Sequence, residues 1–312
     1  MDKTSRITLF GECMIELRGE LFGTMQQTFG GDTLNTAVYL ARLTADTGLH
    51  VAYATQLGND DYSAAMVSAW AEEGIDTTMV RRETGKMPGL YTIQVDDKGE
   101  RTFYYWRDMS AATDFFVGES SLLEDHINDI DVFYYSGISL AVQPQSGRAR
   151  LLRFVEHLRA RGGKVCFDNN YRPRLWGGSP QTPEWYDRAF ANADIAFITL
   201  DDNALLYGVS DEEALNRALA LSCQEVVIKR GRDSSIVRLK GEAPIEVPTY
   251  KVRKVVDTTG AGDSFAAGYL AARLQGQNPE VATRSGNKIA SIVVQYPGAI
   301  IPREAMPVFF FG

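Results

Sequence analysis

The sequence is poor in cysteine and histidine and has no long apolar run, and each shortage removes a class of protein. Its three cysteines, Cys13, Cys166 and Cys223, are odd in number and far apart, with no pair at a metal-binding or redox spacing, so a disulfide framework is not expected. Its three histidines, His50, His126 and His157, fall outside every motif and read as surface or packing residues. No stretch has the length of uninterrupted apolar residues that a membrane span requires. Residues 1–6 lead straight into an apolar run at 7–10 without a signal-peptide core, so the expectation is a soluble, cytoplasmic chain. Positive charge is also scarce: 32 Lys and Arg stand against 40 Asp and Glu, for a net charge of −8. A general nucleic-acid binder needs a positive field to displace counterions, which disfavours that class but leaves room for a local basic pocket.

What is present is globular in character. With 312 residues, 45% of them hydrophobic and 23% charged, the chain has ample apolar surface to bury, which excludes disorder and a coiled coil. No Ser/Pro-rich linker, charge block or internal repeat divides it, so residues 1–312 read as one domain. Short β-rich runs alternate with helix-period runs, at 7–10 then 33–43, and at 51–57 then 62–73. The second half repeats the alternation, with strands at 132–136, 165–168, 195–199 and 225–229 and helices near 146–161, 182–191 and 211–220. That order predicts an α/β fold with a central, mostly parallel sheet whose apolar strands are buried on both faces. Residues 90–95 and 102–105 break the rhythm, flanking the polar turn Asp96-Asp97-Lys98-Gly99-Glu100-Arg101 as a hairpin. With residues 12–29 the hairpin predicts a small accessory sheet, either a lid over a site or a contact in a homo-oligomer.

The stretch richest in chemistry is Asp257-Thr258-Thr259-Gly260-Ala261-Gly262-Asp263-Ser264-Phe265, which runs into a helical segment. Gly260, Ala261 and Gly262 let the backbone approach a ligand closely, and the start of a helix leaves unpaired N–H groups aimed at it. Together these make an anion site, most naturally for phosphate. In isolation, a plain helix start with Asp263 complementing the dipole would look the same. The stretch is no P-loop, since Gly-x4-Gly-Lys-Ser/Thr occurs nowhere, and Phe265 stands where a dinucleotide fingerprint has its third glycine. Near the N-terminus, Phe29-Gly30-Gly31-Asp32-Thr33-Leu34-Asn35-Thr36-Ala37 opens the first long helix. There the glycines permit close approach, Asp32 or Thr33 is placed to cap the helix, and Asn35 offers both donor and acceptor to a hydroxyl.

These two stretches, at this separation, resemble the C-terminal and N-terminal signatures of the ribokinase-like sugar kinases of the PfkB family, and the resemblance covers essentially the whole chain. It implies a three-layer α/β/α body with a small β lid near residues 12–29 and 88–107, and phosphoryl transfer from ATP to a sugar hydroxyl. Carried over residue by residue, it makes Asp263 the catalytic base, with the N–H groups of Gly260, Ala261 and Gly262 stabilising the phosphoryl oxygens. It places Asn170, Tyr171, Arg172, the turn Lys229-Arg230-Gly231-Arg232-Asp233-Ser234 and Asn287 beside the nucleotide. Magnesium is expected with ATP. Where the family usually has Asn-x-x-Glu this chain has Thr199-Leu200-Asp201-Asp202, which leaves Asp202 as the carboxylate acting on magnesium through water. Asp257 and Thr259 resemble positions that help bind a monovalent cation such as potassium in some relatives.

Two clusters, Phe103-Tyr104-Tyr105-Trp106-Arg107 and Asn170-Tyr171-Arg172-Pro173-Arg174-Leu175-Trp176, pair aromatic rings with arginine. Guanidinium groups match a planar carboxylate with paired hydrogen bonds, whereas a neutral hexose needs hydroxyl partners and a stacking ring, so the pattern suggests an acidic sugar. The rings could equally pack on one face of the hairpin while Arg107 reaches for solvent. The phrases GGDTLNTAVYLAR, PGLYTIQVDDKGERTFYYWR, FDNNYRPRLW and GAIIPREAMP resemble the branch of the family that acts on 2-keto-3-deoxygluconate. That resemblance implies phosphorylation of the terminal 6-hydroxyl in a pocket of Gly31, Asp32, Thr33, Leu34, Asn35, Tyr91, Tyr105, Trp106, Arg107, Arg172 and Asp263, with Arg107 and Arg172 on the carboxylate. Two readings compete: a kinase of a neutral sugar such as fructose, and a catalytically silent sugar- or nucleotide-binding regulator. Retention of Asp263 and the glycine turn weighs against the second, because binding alone needs no base. The apolar tail Val308-Phe309-Phe310-Phe311-Gly312 is expected to dock on the body or on a partner subunit.

Overall fold

Strands that are apolar on both faces need a layer of helices on each side, and the structure supplies both. The computed structural model describes residues 5–95 and 101–307. Along the chain its strands are β1 (Arg6–Phe10), β2 (Met14–Gly19), β3 (Met25–Gly30), β4 (His50–Gly58), β5 (Val80–Glu83), β6 (Leu90–Val95) and β7 (Arg101–Trp106). They continue with β8 (Val132–Ser136), β9 (Lys164–Asp168), β10 (Ile195–Thr199), β11 (Glu225–Lys229), β12 (Ser235–Leu239) and β13 (Ile245–Val247). The main sheet has the order β13-β12-β11-β10-β9-β8-β1-β4-β5. From β5 across to β11 neighbours run parallel, and β12 and β13 close the far edge antiparallel.

Successive side chains of the central strands go to opposite cores, as the two-residue period of a strand requires. Val132 and Tyr134 of β8, Cys166 of β9 and Phe197 of β10 bury against a layer that includes the helices Asp32–Leu43, Ala261–Leu274 and Pro279–Val293. Phe133 and Tyr135 of β8, Phe167 of β9 and Ile198 of β10 point the other way, toward the helices Gln145–Ala160 and Thr182–Ala191. At about 1.5–3 kcal/mol for each large apolar side chain taken out of water, these two cores dominate the stabilisation of the three layers.

The strand order reverses between β1 and β8. The chain moves outward from β1 through β4 to β5, then returns to the other side of β1 and proceeds from β8 to β11. A crevice opens outside the carboxyl ends of the strands at such a switch point, and ligands of open α/β sheets collect there. A second sheet, β3-β2-β6-β7, stands at this edge because β2 follows β1 directly. Its register sets Glu16 opposite Tyr91, and Tyr91 opposite Tyr105. The hairpin turn at 96–100 and the tail at 308–312 lie outside the described residues. β5, β12 and β13 have no counterpart among the β-rich runs of the sequence; β13 has only three residues, and three of the four residues of β5 are charged.

Candidate active site

The strands beside the switch point end in polar residues. β9 ends at Asp168 and β11 at Lys229, and the Lys229 ammonium donates to Asp168 Oδ2 at 2.7 Å. Both residues are buried, so Lys229 belongs to a paired charge inside the crevice and not to a solvated turn. The Tyr134 hydroxyl donates to the same Asp168 oxygen at 3.3 Å, while Asp168 Oδ1 has no hydrogen-bond partner among the described residues. Asn169 splices β9 to β10, accepting from the Thr199 N–H at 2.9 Å and donating to the Thr199 carbonyl at 3.1 Å. Asn170 follows with a φ of 25° and donates to Asp32 Oδ2 at 2.7 Å.

The helix Ala261–Leu274 starts from Gly260, where glycine is required twice over. Its φ is 74°, and a Cβ there would lie 2.6 Å from the Ala299 carbonyl oxygen. Asp257 clasps the turn, its Oδ1 accepting from the Thr259 N–H at 2.8 Å and its Oδ2 from the Gly298 N–H at 2.7 Å. Tyr39 of the first helix holds the Gly298 segment in turn, donating to the Ala299 carbonyl at 2.6 Å and accepting from the Ile301 N–H at 3.1 Å. The amides of the first helical turn are thereby fixed in place as an anion cradle. The Lys229 ammonium joins them, since a Cβ on Gly262 would meet it at 3.4 Å.

Asp263 stands in the first turn of this helix. Asn35 donates to Asp263 Oδ2 at 2.8 Å, so the two glycine motifs meet across 228 residues of chain. Burial pushes the Asp263 carboxyl up to about 7; Asp32 and Asp168 add to the rise, while the Asn35 hydrogen bond and Lys229 oppose it. A carboxylate poised near neutrality suits a general base. Burial also raises the Asp32 carboxyl, against hydrogen bonds from Ser136 and Asn170. Neither Asp32 nor Thr33 caps the first helix: Gly31 holds the cap position in extended backbone, and Thr33 shares a hydrogen bond of 3.1 Å with the Tyr53 hydroxyl. Leu34 lies wholly in the core, which corrects its expected substrate contact to a packing role.

The accessory sheet faces this cradle with Tyr91, Tyr105 and Arg107. Tyr91 is buried, donates to Glu16, and sets its ring 5.7 Å from that of Tyr105. Burial raises the Tyr105 hydroxyl, against the opposing fields of Arg107, Arg172 and Arg174. Arg107 does not reach for solvent; it lies 5.7 Å from the Tyr105 ring centroid and forms a buried ion pair with Glu12. Arg172 is half exposed and pairs with Asp202 at 3.0 Å. Trp106, the next residue on β7, takes the opposite face from Tyr105 and is 61% exposed, which corrects its expected place in the sugar pocket. Tyr171 packs edge-on against Tyr186 at 5.7 Å.

The turn from β11 to β12, just past Lys229, carries Arg230, Gly231, Arg232, Asp233 and Ser234. Arg230 is tied to Ser234 and Glu246, Gly231 has a φ of 60°, and Arg232 and Asp233 are exposed. Asn287 is buried, accepting from Ser235 Oγ at 2.8 Å and donating to the Pro248 carbonyl at 3.2 Å. Its expected adenine contact is corrected to a brace between helix and sheet. Glu12, Glu16 and Tyr39 were not foreseen. The placement of Gly11-Glu12 straight after an apolar strand was a usable signal for Glu12, because sites collect at strand ends.

A helix N-terminus built for phosphate, a carboxylate poised as a base, and facing arginines together define a phosphotransferase acting on a small hydroxylated substrate. The match to the pfkB family carbohydrate kinases covers residues 4–306, and the chain belongs to that family. It is 48% identical over 308 residues to the 2-dehydro-3-deoxygluconokinase of Dickeya dadantii (strain 3937), spanning 97% of this chain and 99% of that protein. It is 38% identical over 306 residues to the Haemophilus influenzae protein of the same name, spanning 96% and 97%. Among solved structures it is similar to the aminoimidazole riboside kinase from Salmonella enterica complexed with aminoimidazole riboside and an ATP analog. There the TM-score is 0.80 at 25% identity, with 97% of each chain covered.

Proposed function

We propose that this chain is an ATP-dependent kinase that phosphorylates the 6-hydroxyl of 2-keto-3-deoxy-D-gluconate, also called 2-dehydro-3-deoxygluconate, giving 2-keto-3-deoxy-6-phosphogluconate. The observation that carries the reading is the Asp263 carboxylate, held by Asn35 at 2.8 Å at the mouth of an amide cradle. Asp263 takes the proton of the attacking hydroxyl while Asn35 fixes the orientation of its carboxylate. The cradle amides and the Lys229 ammonium face the charge that develops on the transferred group. Arg107 and Arg172 hold the acid end of the sugar, so that its far hydroxyl is presented to Asp263. The accessory sheet acts as the lid that excludes water.

Magnesium fits this site as a companion of the nucleotide. Among the described residues no three metal-ligating side chains converge, and the partnerless Asp168 Oδ1 and the Asp202 carboxylate would hold the ion through its water shell. When bound it neutralises phosphate charge. A monovalent cation such as potassium would sit beside Asp257 and Thr259; replacing potassium by tetramethylammonium in the assay tests it. The kinase works in the cytoplasm as a homo-oligomer, which sedimentation checks; among the described residues no helix is long and apolar enough to cross a membrane. The central experiment measures ATP turnover with 2-keto-3-deoxygluconate, gluconate, fructose and ribose side by side. The highest kcat/KM is expected for the first. Preference for fructose would install the neutral-sugar reading, and binding without turnover the regulator reading.

A further inference from the structure

A buried acid is an odd neighbour for a pocket that takes an acidic sugar. Glu12 stands two residues past the end of β1, and its carboxylate pairs with Arg107 at side-chain exposures of 1% and 9%. By charge alone it repels the substrate carboxylate and weakens the field of the arginine meant to bind it. Its surroundings give it another use. Glu12 has little freedom: its carbonyl packs where Gly31 has no Cβ, and Oε1 lies 2.9 Å from where a Cβ on Gly89 would stand. Arg107, by contrast, is a long side chain just past the end of β7, and ordering such a chain is entropically costly. Its guanidinium carries five donors in a planar fork, of which the contact with Glu12 engages Nη2 alone. The remaining edges lie beside Tyr105, where Arg172 also acts.

We propose that Glu12 is a positioning residue that sets the Arg107 fork to receive the substrate carboxylate, so that an acid inside the pocket improves the binding of an acid. This rests on the reading of Arg107 as a carboxylate ligand.

The sign of one measurement decides it. Coulomb's law alone makes the KM for 2-keto-3-deoxygluconate fall when the charge of Glu12 is removed, whereas positioning makes it rise. For Glu12→Gln, which is nearly isosteric, a rise of about 10- to 100-fold is expected, the range for a lost charge-assisted hydrogen bond. The KM for ATP should stay within about twofold, because the phosphate side does not pass through Glu12. In the double variant Glu12→Gln/Arg107→Leu, the KM should be no higher than in Arg107→Leu alone, since residues acting as a unit are not additive. An unchanged or lower KM in Glu12→Gln, beside a raised KM in Arg107→Leu, overturns positioning and leaves the carboxylate reading standing. If Arg107→Leu leaves the acid sugar unaffected, both fall. Should Glu12→Gln fold poorly, Glu12→Asp keeps the charge and withdraws the carboxylate by one methylene, so positioning still makes the KM rise whereas charge alone leaves it nearly unchanged, and an unchanged KM overturns positioning.

Discussion

The two rims of the crevice are made of different materials. The rim proposed for phosphate is backbone: glycine and alanine amides at a helix start, locked by Asp257 and by Tyr39 through hydrogen bonds of 2.6–3.1 Å. The rim proposed for the sugar is side chain: Arg107 on Glu12, Arg172 on Asp202, and Tyr105 in the field of both arginines. Amides that belong to the fold bind any phosphate and cannot be exchanged, which suits the half of the reaction common to all ATP-dependent kinases. Long side chains can be replaced one at a time without disturbing a strand, which suits selectivity. This chain is similar both to the 2-dehydro-3-deoxygluconokinase of Dickeya dadantii and to the aminoimidazole riboside kinase of Salmonella enterica, two kinases named for different substrates.

The sharpest way to break this contrast is at the base where the rims meet. Asp263→Ala should fold and lose about 10²–10⁴ in turnover, as removal of a general base does. Near-normal turnover would take Asp263 out of the mechanism. Gly260→Ala comes next, because it strains a φ of 74° and drives a methyl group toward the Ala299 carbonyl. A loss of about tenfold or more in kcat/KM for ATP is expected from strain of 1–3 kcal/mol, with a smaller change in the KM for sugar. Equal damage to both would show that the phosphate rim is not separate. Arg172→Leu should raise the KM for the acid sugar more than that for any neutral sugar still phosphorylated. A parallel rise in the KM for ATP would move Arg172 to the phosphate rim.

The smallest effect is one of pH. Asp263 must be ionised to act, so kcat/KM should rise with pH through about 7 and then level off. The same shift bears on stability. Its folded value lies above the ordinary 3.8, so its contribution to folding is full below that value and is lost as pH rises through about 7. Asp263→Asn should therefore melt at a higher temperature than the parent near pH 8, with the gain vanishing near pH 4. No gain near pH 8 would show that burial does not govern this carboxyl.

Much of this was legible before the structure. The alternation of β-rich and helical runs foretold the sheet because apolar strands must be covered on both faces, and the glycine motif at 260–262 foretold the helix start because only a small residue lets the backbone turn that close to Ala299. What stayed hidden depends on partners far away in sequence. Arg107 and Glu12 are 95 residues apart, and Lys229 and Asp168 are 61 apart, so no local pattern announces that these charges are paired. Leu34, Trp106 and Asn287 sat in the right motifs and were misread for one reason. A motif places a residue on an element, but only packing decides which side of that element it faces.

The strap that Tyr39 holds has a consequence for how the protein comes into being. Tyr39 reaches Ala299 across 260 residues, and Arg42 donates to the Ile301 carbonyl at 2.7 Å beside it. A nascent chain therefore carries its base and its glycine turn out of the ribosome well before the segment that fixes them. Until residues 298–301 emerge, the growing polypeptide lacks the partners that Tyr39, Arg42 and Asp257 hold in the folded protein, so the glycine turn is braced only when the chain is nearly finished.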